Sequence, residues 1–106
     1  MIETFINSIV ALIQMVGTKP NIWKIMSTVL MVLPNLLKTI VDFKDTNAKA
    51  KFDDFLAAFD AYLAQNVVRA FPHMPIEREA EFWKAIRVAI QDFGYEELKV
   101  TGYYLP

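Results

Sequence analysis

Cysteine is absent from the 106-residue sequence. That removes disulfides, thiolate nucleophiles and thiolate metal sites together, and leaves the redox compartment undecided. Histidine occurs once, as His73, so neither the Glu-x-x-His pair of carboxylate-bridged di-iron bundles nor a His-Glu-x-x-His motif is present. A metal site would have to be built from carboxylates such as Asp53, Asp54 and Asp60, which a solvated helix face explains better; no metal and no cofactor is expected. Serine is equally scarce. Ser8 and Ser27 are the only two, both on polar sides of strongly apolar segments and without a catalytic sequence context. Three isolated glycines, Gly17, Gly94 and Gly102, give neither a phosphate-binding loop nor a dinucleotide fingerprint.

Charge of one sign is also missing. The formal net charge is −1, which gives no bulk attraction to nucleic acid or an anionic membrane. Lys44, Lys49 and Lys51 cluster, but Asp45, Asp53 and Asp54 interleave with them and cancel their field. No nucleic-acid partner is expected. The first residues include Glu3 rather than the basic start of a secretory signal, so the default expectation is an intracellular, cytoplasmic chain.

What is plentiful is apolar surface. Hydrophobic residues make up 55% and charged residues 22%, with a mean hydropathy of +0.27. Ordinary globular usage is about 45–50% apolar by a count that includes Gly. The excess predicts burial beyond the domain's own core, in a partner, an oligomer or a lipid.

Periodicity organises this surface into helices. Ile2, Phe5, Ile6, Ile9, Val10, Leu12, Ile13 and Val16 keep helical spacing and predict a helix over residues 2–16, with Gly17 past its end. A second helix is expected over residues 21–43. Its polar face steps by threes and fours through Pro34, which reads as one helix kinked at the proline rather than two. A third helix is expected over 46–71, with Phe52, Phe55, Leu56 and Phe59 on one face. A fourth is expected over 75–93, opening at Pro75 with Glu77, Glu79 and Glu81 solvated near its positive end and stopping at Gly94. Residues 95–106 read as a short extended tail. The fold class is therefore all-α, a four-helix bundle-like single domain over residues 1–106. At about 1.5 Å per residue, the second and third helices would overhang the first and fourth by roughly 10–15 Å.

No motif in this sequence carries enzymatic chemistry. His73, between Pro72 and Pro75, reads as a turn residue; a general-base role would need a carboxylate and a pocket. The expected function is that of a non-enzymatic helical interaction or structural protein, either self-associating or a small subunit of a larger assembly. Residues 4–18 and 25–37 carry no charge, which places the expected contact surface on the first two helices, at Ile2, Phe5, Ile9, Leu12, Trp23, Met26, Leu30 and Leu33, several of which must also serve the internal core. Tyr103, Tyr104 and Leu105 form a second docking candidate in the tail. The alternative is a membrane-surface or apolar-ligand (lipid) binding protein that uses the same helices. Neither charge-free run reaches the 18 or so residues of a spanning helix, so membrane contact is expected to be interfacial if it occurs.

Overall fold

The first helix, α1, runs from Ile2 to Val16, and Phe5, Ile6, Ile9 and Ile13 are its buried stripe. The second, α2, spans Ile22–Ile40 and passes through Pro34 without interruption. Ile25, Val29, Leu33 and Leu37 recur every fourth residue along it and are all buried, so one face of the helix is continuous core on both sides of the proline. The third, α3, covers Ala48–Gln65, and the fourth, α4, covers Ile76–Thr101. The structure, a computed structural model, describes residues 1–16 and 22–102; the side chains at 16, 22 and 23 are excepted.

These four helices form an all-α bundle, with no strand among the described residues. α1 packs on α2 and α3, and α4 packs on the same two helices. α1 thus lies diagonal to α4, and α2 to α3. Asp53 meets Tyr95 while Asp60 meets Arg87, so α3 and α4 run antiparallel. Aromatic rings join the layers, mostly edge to face with one tilted pair. Phe5 of α1 meets Phe55 at 5.1 Å and Phe59 at 6.2 Å, and Phe43 bridges Phe52 at 5.8 Å and Phe93 at 6.2 Å, within the range where such pairs are favourable.

Three helix ends differ from the sequence reading, each for a physical reason. α2 stops at Ile40 rather than at 43. The Asp42 carboxylate accepts the Lys44 N–H at 3.0 Å and the Asp45 carboxylate accepts the Asn47 N–H at 2.8 Å, so two side-chain turns replace helical bonds. α3 stops at Gln65 rather than at 71. Asn66 is already extended at φ −129° and ψ 138°, and the β-branched Val67 and Val68 follow it.

The largest correction concerns α4, which continues through Gly94 to Thr101. Residues 95–101 are therefore helical rather than an extended tail. Gly94 is buried against the Phe52 ring, and a Cβ at that position would fall inside the ring. The glycine serves close approach, not termination. Gly102, at φ 80°, is the true stop, and its N–H reaches the carbonyls of Leu98 and Lys99, as a left-handed glycine past a helix end does. The overhang moves with these boundaries. At 26 residues, α4 is the longest helix, about 39 Å by its rise per residue.

Candidate functional site

The ten-residue connection between α3 and α4 is organised by one ion pair. Glu79, in the first turns of α4, was expected to be solvated; it is 2% exposed. Its carboxylate accepts the backbone N–H of Ala70 at 3.0 Å and of Phe71 at 3.2 Å, donors that a longer α3 would have turned to its own carbonyls. Arg69 approaches the same carboxylate, Nε to Oε1 at 3.6 Å. The two hydrogens of its Nη2 are shared among the carbonyls of Phe71, Pro72 and Met74, at 3.1, 3.1 and 2.7 Å. One side chain thus takes the connector's amides and the other its carbonyls. This charge-assisted latch substitutes for helical hydrogen bonds in the segment where the helix has ended.

Behind the latch lies a cleft of about 240 Å³. The end of α3 and the connector supply Leu63, Asn66, Val67, Val68 and Arg69; α4 supplies Ile76, Glu79, Ala80 and Trp83. Most of this lining is apolar. Val67 and Ile76 at the cleft stand 79% and 62% exposed, although large aliphatic side chains gain most from burial. The Arg69 Nη1 and Trp83 Nε1 atoms are buried and have no hydrogen-bond partner among the described residues. Unmade hydrogen bonds on buried donors are costly, which sets this corner apart from the rest of the core.

The described interaction residues expected from sequence divide into three groups. Phe5, Ile9 and Leu33 lie in the core at 2%, 0% and 2% exposure, so they hold this chain's own helices together. Ile2, Leu12 and Met26 are half-buried against that core. Leu30 is 39% exposed, and its neighbour Met31 is 79% exposed. Met15 on α1 stands out at 83%. The side chain of Trp23 and the tail residues Tyr103, Tyr104 and Leu105 lie outside the described residues.

Several titratable groups make structural pairs. His73 is exposed in the turn of the connector and does not line the cleft. Asp60 takes the Arg87 guanidinium through two bonds of 2.8 and 3.0 Å. Asp53 accepts from Lys49 and from the Tyr95 hydroxyl, both at 2.8 Å. Burial pushes its carboxyl up, but the Lys49 and Tyr95 hydrogen bonds outweigh that and hold it below the usual carboxylate range. Among the described residues, no three His, Cys, Asp or Glu side chains gather as a metal ion would require. Nor is any helix there long and apolar enough to cross a membrane. No protein family, curated protein or solved structure matches this chain.

Sequence reasoning missed the cleft and both sides of the latch. Trp83 is buried at 4% exposure, and sequence reasoning assigned no role to its indole N–H. A usable signal was present in Arg69, the lone charge among Val67, Val68, Ala70 and Phe71. A charged group in such an apolar run needs a partner.

Proposed function

We propose that this chain is a non-enzymatic helical interaction protein that associates with a second copy of itself, the contact being made by the outer surfaces of α1 and α2. One observation carries this reading. Met15, Leu30 and Met31 remain on the surface after the core has closed, and they belong to the two stretches, residues 4–18 and 25–37, that contain no charge. Stretches without charge meet their own copy with little like-charge repulsion, which suits them to a two-fold contact, although Lys24 and Lys38 flank the second of them. Single exposed apolar residues are ordinary on any protein; here the absence of charge within the two stretches favours association. Most of the apolar excess read from the composition goes into the internal core, so the contact needs only this residue of uncovered surface.

Light scattering on the unaltered chain and on a Met15→Lys, Met31→Lys variant tests the proposal. Both positions are well exposed, so the fold is expected to survive. The unaltered chain is expected near twice its 12.2 kDa mass, and the variant at 12.2 kDa. Equal masses for the two proteins would contradict the reading. The alternative occupant is a lipid surface met by the same helices; flotation of the unaltered chain with vesicles, combined with a monomeric mass in their absence, would replace self-association with that reading.

A further inference from the structure

We infer that Met15 and Met31 are a peroxide-sensitive switch on the outer surfaces of α1 and α2, a regulation that rests on the association proposed for that surface. Oxidation of their thioethers to sulfoxides separates two copies while each bundle stays folded.

Sulfur is sorted outward in this molecule. With no cysteine and five methionines, its oxidisable sulfur is all thioether. Methionine commonly fills gaps in a core. Here the buried apolar core among the described residues is made of Phe, Ile, Leu, Val, Ala and Trp alone. Met1, Met15 and Met31 stand 80%, 83% and 79% exposed, and Met26 and Met74 are half-buried. A peroxide therefore reaches the surface sulfurs first. Because no methionine packs inside the core, the bundle keeps its contacts when they are oxidised.

The step needs only a peroxide as co-reactant. A sulfur lone pair attacks one peroxide oxygen, and an S–O bond forms as the O–O bond breaks. The proton on the transferred oxygen passes to the departing hydroxide, which leaves as water. Sulfur loses two electrons and the peroxide gains them. The product carries no net charge, but a flexible apolar side chain has become a polar one. On the separate chain the new oxygen is hydrated. Against a second copy it loses that water, and a buried polar group without a donor is costly. In a two-fold contact each oxidised residue counts twice, so four sulfoxides act on one interface. Association itself covers both sulfurs. Oxidation thus proceeds on the separate chain and holds it in that state.

Hydrogen peroxide treatment of the unaltered chain, followed by peptide mass spectrometry and sedimentation, tests the switch. One oxygen on each of Met15 and Met31 is expected to weaken association at least roughly tenfold, with the helical spectrum unchanged. Reduction by the two methionine sulfoxide reductases is expected to restore it. Concentrating the chain is expected to slow oxidation of Met15 and Met31. Met1, equally exposed but outside the charge-free stretches, is expected to keep its rate. Loss of helical signal at the same extent of oxidation, or Met26 and Met74 reacting as fast as Met15 and Met31, would overturn the inference. A dimer that survives oxidation at both positions overturns the switch alone. A chain that is monomeric before peroxide is added removes the association, and the switch with it.

Discussion

Glu79 carries more of this structure than its place in an acidic helix start suggests. Its carboxylate holds two backbone amides of the connector and the Arg69 guanidinium in a buried setting. Removing that charge leaves the arginine without its counter-ion and the amides with a poorer acceptor. Glu79→Gln is therefore expected to lower unfolding free energy by about 2–4 kcal/mol in urea titration, with faster hydrogen exchange at the Ala70 and Phe71 amides in particular. Gly94 makes a different demand, since the Phe52 ring occupies the space where a Cβ would lie. Gly94→Ala gains up to about 1 kcal/mol of helix propensity and meets an overpacking cost of about 1–3 kcal/mol. A net loss in the urea midpoint is expected; a gain would show that the ring yields easily. Asp53 contributes to the pH dependence. Its carboxyl ionises below the unfolded value of about 3.9 because the Lys49 and Tyr95 hydrogen bonds overcome burial. The stability it brings is complete above that unfolded value and is lost as pH falls through the lower folded one. In Tyr95→Phe the difference in urea midpoint from the parent is expected to be largest near neutrality and to shrink in acid.

Among the elements, α2 is the one whose sequence and structure agree on an unfavourable feature. Pro34 sits inside a helix whose core face runs unbroken past it. The proline lacks the N–H that the Leu30 carbonyl would accept, a loss that costs about 3 kcal/mol in a regular helix interior. Pro34→Ala is expected to raise stability by about 1–3 kcal/mol, read from the urea midpoint at unchanged helical content; a fall would mean that the core depends on the proline's local geometry. The faces of α1 and α2 were legible because repeats such as Ile25, Val29, Leu33 and Leu37 are local and uninterrupted. The end of α3 was not, because the groups that complete its last turns come from Glu79 and Arg69, across the connector. The end of α4 was partly legible. Ile86, Ile90 and Leu98 continue a four-residue step through Gly94, and Glu96, Glu97 and Lys99 are good helix formers. Reading Gly94 as a stop overrode that pattern, because the demand for close approach comes from Phe52, 42 positions away in the chain. The cleft was invisible for the same reason: it forms only when the connector folds over Trp83.

At the scale of the whole molecule, the composition promised more apolar surface than a chain of this length hides, and the bundle answers most of it. Residues expected to face a partner, Phe5, Ile9 and Leu33 among them, are buried within the chain itself. What remains uncovered is smaller: Met15, Leu30 and Met31 in the charge-free stretches, Val67 with Ile76 at the cleft, and Met1, Val88 and Val100 elsewhere. The account rests on the first of these sets meeting a second copy. Sedimentation equilibrium of the unaltered chain, in detergent-free buffer and over a wide concentration range, measures that most directly. A weight-average mass that climbs from 12.2 kDa towards twice that value is the predicted result. A mass fixed at 12.2 kDa at every concentration would contradict it.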